Sequence, residues 1–221
     1  MHVNVNTIAA VILAGGQSRR MEGVSKPFAL LGGKSLIEHS ISRLRPQLDH
    51  ILISANEEPP VGARVSYPSG YPILADTIGG FAGPLAGILA AMRWAQKDGT
   101  VGQILSVAVD SPFFPNDLLC RFLSSQQSNP SCPVIARTSD GIHPTFGLWP
   151  VSLADELEAY LLSGNRKMRF WAEQKYCLYC DYAAISMGEE ELDPFFNINR
   201  LIDLQRAEGY ASTLSALDES R

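Results

Sequence analysis

One stretch constrains this chain more than any other: T-I-A-A-V-I-L-A-G-G-Q-S-R-R-M-E-G-V-S-K, from Thr7 to Lys26. Ile8 to Ala14 is a short apolar run rich in Val and Ile, which reads as a buried strand. Gly15-Gly16 ends it, and a basic, polar turn follows. Glycines allow backbone angles and close approach that a Cβ would block, so successive N–H groups of such a turn can point at an anion. Arg19, Arg20 and Lys26 add positive charge where a polyphosphate would need neutralising. The spacing, G-G-x-S-R-R-M-x-G-x-x-K, fits neither G-x-G-x-x-G nor G-x-x-x-x-G-K-S/T. A glycine pair after a strand can be a bare structural turn; three cations just behind it favour a phosphate or nucleotide site.

The rest of the chain alternates strands and helices. Ser35 and Glu38 form a capping-box pattern opening a helix that carries Leu36, Ile37, Ile41 and Leu44 and ends near Pro46. Ile51 to Ala55 reads as the next strand, Ala63 to Tyr67 as a weaker one, and Ile73-Leu74 leads into Ala75-Asp76. In an open α/β sheet, ligands sit at the carboxyl ends of strands, which places Asn56 and Asp76 beside the first loop. Either can be a turn residue; together they offer donors and acceptors to a base or ribose. Pro84 suits the first position of a helix from Leu85 to Lys97 stopped by Gly99, and that amino terminus serves equally as an anion site or a packed cap. Gln103 to Val109 is the clearest central strand, followed at once by Asp110. A carboxylate there is a helix cap or, beside a phosphate loop, a hard ligand for Mg²⁺.

Pro115 to Ser125 reads as a helix, and Cys132 to Arg137 and Ile142 to Trp149 as strands around a Ser139-Asp140-Gly141 turn. His143, at the start of the second strand, is either a substrate contact or a structural residue. Ser152 to Leu162 is amphipathic. The following Arg166, Lys167 and Arg169 beside Phe170 and Trp171 read as a solvated basic face with packed aromatics rather than a stacking site for an anionic ring. Tyr176 to Tyr182 is a late strand, Phe195 to Asn199 a short strand or turn, and a last helix begins at Arg200.

With 46% hydrophobic residues, 221 residues can build one core, so residues 1–210 are expected to form a single domain, with 211–221 a frayed tail. The net charge of −5 argues against broad nucleic-acid binding. No apolar run is long enough for a bilayer, and M-H-V-N-V-N does not resemble a secretion signal, so a cytoplasmic protein is expected. The four cysteines, Cys120, Cys132, Cys177 and Cys180, are too scattered for a disulfide scaffold, and C-x-x-C at Cys177 lacks a second ligand pair.

L-A-G-G-Q-S-R-R-M-E-G from Leu13 to Gly23, with Lys26, resembles the opening of nucleotidyltransferases with a Rossmann-like fold. G-P-L-A-G at Gly83 to Gly87, V-D-S-P at Val109 to Pro112, H-P-T at His143 to Thr145 and F-N-I-N at Phe196 to Asn199 resemble the molybdenum cofactor guanylyltransferase family within that group. The resemblance runs from about Ile8 to about Ala207. It implies an open, mostly parallel sheet with helices on both faces and a local antiparallel excursion. It also implies transfer of GMP from GTP to the terminal phosphate of molybdopterin. By the same resemblance, the backbone of Leu13, Ala14, Gly15 and Gly16 with Arg19 cradles the GTP phosphates, and Lys26 bonds to them. Asn56 and Asp76 fall at the guanosine, Asp110 at Mg²⁺, Gly83 beside both ligands, and His143, Asn197 and Asn199 on the pterin side. Candidate partners beyond the two substrates are cofactor-insertion proteins and molybdoenzyme chaperones, with neither nucleic acid nor membrane. Glu22 replaces a common glycine, Ser25 a frequent aspartate and Val109 a common cysteine. The residues themselves leave guanine and cytosine open, so a CTP-dependent cytidylyltransferase remains the enzymatic alternative and a non-catalytic nucleotide-binding regulator the other.

Overall fold

The computed structural model describes residues 8–15, 25–56, 66–78, 83–188 and 190–219. Gly16 and Arg19, with Arg20, Glu22 and the rest of 16–24, lie outside the described residues, as does most of the weak strand expected from Ala63.

In chain order the elements are β1 (Ile8–Leu13), β2 (Leu30–Leu31), β3 (Lys34–Ser35), α1 (Leu36–Leu44), β4 (His50–Ser54), β5 (Ile73–Leu74) and α2 (Pro84–Asp98). There follow β6 (Gln103–Ala108), α3 (Leu118–Gln126), β7 (Val134–Thr138), β8 (Gly141–Pro150), α4 (Ala154–Leu162) and α5 (Met168–Gln174). The chain closes with β9 (Leu178–Asp181), β10 (Ile185–Met187), β11 (Glu190–Leu192) and α6 (Leu201–Glu219). Among the described residues, the main sheet has the order β5-β4-β1-β6-β8-β7-β9. β1, β4, β5 and β6 are parallel, β8 runs antiparallel to β6 and β7, and β9 is parallel to β7. This is the open, mostly parallel α/β sheet with an antiparallel excursion that the sequence implies. The hairpins β2–β3 and β10–β11 are additions that their short, mixed sequences do not signal.

Every residue of β1 is buried because side chains alternate across a sheet covered on both faces. Ile8, Ala10 and Ile12 join the core with α1 and α3, whereas Ala9, Val11 and Leu13 join the opposite core with α2, α4 and α5. The local punctuation follows the residue chemistry. The Ser35 backbone N–H and hydroxyl both donate to Glu38 at the start of α1, at 2.8 and 2.5 Å, and hold its carboxyl below the usual range. α2 starts on Pro84 and ends on Gly99, whose φ of 77° is the left-handed conformation of a helix stop.

α3 starts at Leu118, three residues after the Pro115 expected from the sequence; Leu118 N–H bonding to the Pro115 carbonyl shows the preceding turn. The stretch from Ala211, expected to fray, is helical as far as Glu219. Just before that stretch, the Tyr210 ring meets Phe113 and Phe196. The chain moves outward from β1 through β4 to β5 and then returns to β6 on the other side of β1. In open α/β sheets such a divergence marks where ligands sit, here the carboxyl ends of β1 and β6.

Candidate active site at the carboxyl edge of the sheet

Two backbone bonds carry the parallel ladder past the strand ends: Ala14 N–H donates to the Ser54 carbonyl at 2.9 Å, and Val109 N–H to the Leu13 carbonyl at 3.3 Å. They set Gly15, Asn56 and Asp110 side by side along one edge. A Cβ on Gly15 would lie 3.7 Å from Asn56 Nδ2, an ordinary van der Waals distance, which places the backbone turn beside that amide.

Lys26 reaches the same edge from a 3₁₀ turn, Lys26–Phe28, braced by Pro27 and by the Phe28 ring against Tyr67 at 4.9 Å. Its Nζ donates to Asp110 Oδ2 and to Asn199 Oδ1, each at 2.7 Å. The Lys26 and Asp110 side chains keep 21% and 16% of their surface accessible, which is enough to meet a ligand and too little for a freely solvated ion pair. Shielding strengthens the attraction within such a pair and also costs each group hydration, so its geometry says more about positioning than about net stability.

The segment bearing the asparagines is fastened to the strand end beneath it. Ile198 N–H donates to the Asp110 carbonyl at 2.8 Å, and the buried Ser111 hydroxyl donates to the Phe195 carbonyl at 3.1 Å. Ile198 is fully buried between two asparagines of different fate: Asn199 turns in to Lys26, whereas Asn197 is exposed and makes no side-chain hydrogen bond among the described residues.

Asn56 and Asp76 hold each other. Asn56 Nδ2 donates to Asp76 Oδ2 at 2.6 Å, and the Asp76 backbone N–H donates to Asn56 Oδ1 at 2.8 Å. Desolvation pushes the Asp76 carboxyl above its ordinary range, opposed by the Asn56 amide. Gly83, the residue before α2, sits at φ 73° with no heavy atom of the described residues within 4 Å of a Cβ position. Four residues on, a Cβ on Gly87 would fall 2.4 Å from Ser54 Oγ and 2.9 Å from Leu13 Cδ2. Gly87 therefore lets α2 press onto the ends of β1 and β4.

Among the described residues, His143 shares no hydrogen bond with Lys26, Asp110 or Asn199. β8 runs opposite to β6, so His143 lies at the carboxyl edge, but its Nε2 meets Thr138 Oγ1 at 2.9 Å and Asp193 Oδ2 at 3.5 Å. Its ring lies 4.8 Å from Phe195. Burial lowers the imidazole's affinity for a proton, and Asp193 and Asp140 partly restore it. In the basic stretch after α4, Arg166 donates to the Leu161 and Asn165 carbonyls and Arg169 pairs with Glu173; beyond it, Lys175 pairs with Glu156.

Gly87 is legible in the sequence as a residue that permits close approach, and the 2.4 Å clash a Cβ would make bears that out. Two positions are not legible there. Ser111 follows Asp110 in a motif whose chemistry-bearing residue is the aspartate. Asp203 accepts the backbone N–H groups of Asn199 and Arg200 at 3.0 and 2.9 Å; its only signal is half a capping box, because Arg200 stands where Ser or Thr would complete the pattern.

Among the described residues, no group of three His, Cys, Asp or Glu side chains could cage a metal ion. A single Asp110 carboxylate suits a magnesium ion that takes its other ligands from phosphate and water.

The profile of the MobA-like NTP transferase domain matches residues 10–177. The molybdenum cofactor guanylyltransferase of Nitrobacter hamburgensis is 39% identical over 220 residues, covering 99% of each chain. That of Mesorhizobium japonicum is 38% identical over 201 residues, covering 90% of this chain and 94% of its own. The crystal structure of molybdopterin-guanine dinucleotide biosynthesis protein A from Archaeoglobus fulgidus superposes with a TM-score of 0.67 at 27% identity, covering 93% of this chain and 98% of the other.

Proposed function

The chain belongs to the MobA-like NTP transferase family, and from that premise we propose that it transfers GMP from GTP to the terminal phosphate of molybdopterin, forming molybdopterin guanine dinucleotide and pyrophosphate. One observation supports the reading most: a lysine ammonium fixed between Asp110 and Asn199 at the carboxyl edge, next to the glycine turn.

In the proposed reaction, a terminal phosphate oxygen of molybdopterin attacks the α-phosphorus of GTP. The new O–P bond forms as the bond to the bridging oxygen of the β-phosphate breaks, and pyrophosphate leaves with that electron pair. The nucleophile is already an anion, so the protein need not remove a proton. What it must supply is alignment of two polyanions and positive charge for the leaving group. Lys26 serves the second need, and its partners Asp110 and Asn199 hold the ammonium at the crevice before substrate arrives. The Leu13 to Gly15 backbone faces the phosphates, with Gly16 and Arg19 assigned to them by family likeness. Asn56 and Asp76 read the guanine, and Asn199 and Asn197 border the pterin. Bound magnesium, held by Asp110, would neutralise phosphate charge. A cytoplasmic location and hand-over to cofactor-insertion proteins or molybdoenzyme chaperones accord with this role.

Equilibrium binding of GTP, CTP, ATP and UTP with and without Mg²⁺ tests the nucleotide assignment. The expected result is selection for GTP, weakened by about tenfold or more in Asp110→Ala through loss of a charged contact. Selection for CTP would make the protein a cytidylyltransferase, and binding of none would remove the functional reading.

A further inference from the structure

The Lys26 cluster has a second layer, which lies on α6. Asp203, in the first turn of that helix, accepts the backbone N–H of Asn199 at 3.0 Å and of Arg200 at 2.9 Å through one oxygen, Oδ2. The Arg200 carbonyl in turn accepts the N–H groups of Asp203 and Leu204 at 3.0 and 3.1 Å, so the carboxylate and the helix start lock one another. Asn199, fixed in this way, directs Oδ1 at Lys26 Nζ. The same helix reaches the other side of the contact. Glu208 accepts the Gly32 N–H at 3.0 and 3.2 Å, in the β2–β3 hairpin that follows the Lys26 turn directly. α6 therefore grips both the strand-side asparagine and the segment carrying the lysine.

We propose that Asp203 is a positioning residue for catalysis: by holding the Asn199 backbone, it fixes the side-chain oxygen that aims the Lys26 ammonium at the phosphates. The inference rests on the reading of Lys26 as a phosphate contact. A helix cap with no such role would also use Asp203, and the two differ in what they couple to. A cap contributes the same stability whatever stands at residue 199. A positioning residue has nothing to act through once the Asn199 side chain is gone.

The experiment compares wild type, Asp203→Ala, Asp203→Asn, Asn199→Ala and the double alanine variant in steady-state guanylyl transfer, with a melting curve for each. Activity is measured at a temperature well below every melting point. An inactive wild type would overturn the proposed function, while the inference requires an active wild type and is judged on the variants. Asp203→Ala is expected to lower kcat about tenfold with KM for GTP changed less than about twofold, the scale of a small misalignment at the reacting centre. Asp203→Asn keeps an oxygen able to accept both N–H groups and should restore most of that rate. On the Asn199→Ala background, Asp203→Ala should cost less than about twofold, the non-additivity of residues acting as a unit. Equal cost on both backgrounds, or unchanged kcat with only a lower melting point, would overturn the proposal. Should Asp203→Ala fail to fold, Asp203→Asn and its double with Asn199→Ala carry the same comparison.

Discussion

Asp76 is held where its charge is poorly solvated, with one amide to offset the loss. Because desolvation raises its pKa above the ordinary 3.8, folding favours the protonated form. The stabilising contribution is complete below the unfolded value and is lost as pH rises through the higher folded one. At neutral pH, the ionised carboxylate is therefore a burden on the empty fold. Asp76→Asn keeps the acceptor for Asn56 and removes the charge, so the variant should melt above wild type near pH 7, with the difference shrinking toward pH 4. GTP binding by the same variant should weaken if the carboxylate reads the base. Thermal melts across that range, paired with GTP titrations, check both halves; a variant less stable than wild type at pH 7 would contradict the electrostatic account. The burial of His143 has the opposite sense: its neutral form is favoured, and its stabilising contribution is complete above 6.5 and lost on acidification through the lowered folded value.

At the scale of elements, the site depends on how closely α2 approaches the strand ends. Gly87 has space for hydrogen and none for carbon: the nearest atoms belong to Ser54 and Leu13, whose backbone carbonyls receive the bonds from Ala14 and Val109. Gly87→Ala should destabilise by about 1–3 kcal/mol, the usual range for overpacking, despite alanine's better helix propensity. Chemical denaturation measures this directly, and a variant as stable as wild type would show that α2 is free to shift outward. The helices themselves were legible because their signals are local: Ser35 with Glu38, Pro84, Gly99, and apolar residues at helical spacing. The hairpins β2–β3 and β10–β11 were not, since strands two or three residues long carry no periodicity and are defined by what they pair with. Tyr176 to Tyr182 shows an intermediate case, in which the strand is recognisable but its parallel partner, β7, is a property of the assembled sheet.

Over the whole molecule, the sheet order brings residues far apart in sequence to one edge. Lys26 meets Asp110 across 84 positions and Asn199 across 173, distances over which no sequence pattern specifies a contact. Individual residues could be picked out because each follows a recognisable strand end or motif. Their mutual bonds could not, nor could the position of His143, which the reversed direction of β8 carries to the carboxyl edge and the register shift beside Ala136 offsets within it. The same reversal hands His143 to Thr138, on the facing strand of its own hairpin, and to Asp193, on the approach to the asparagines. Asp203 was hidden for a further reason: its bonds go to backbone groups, whose positions only the folded chain defines.

The central claim is that this edge performs guanylyl transfer with Lys26 as its fixed cation. The most direct measurement incubates wild type and Lys26→Met with molybdopterin and GTP labelled on the α-phosphate, and follows label entering the dinucleotide together with pyrophosphate release. The account predicts equal amounts of the two products from wild type, and a rate lower by about two orders of magnitude or more in Lys26→Met, in line with losing one preorganised charge. The variant's melting point should stay near that of wild type. A wild type that binds GTP yet leaves the label in GTP, or a Lys26→Met variant that turns over as fast as wild type, would contradict it.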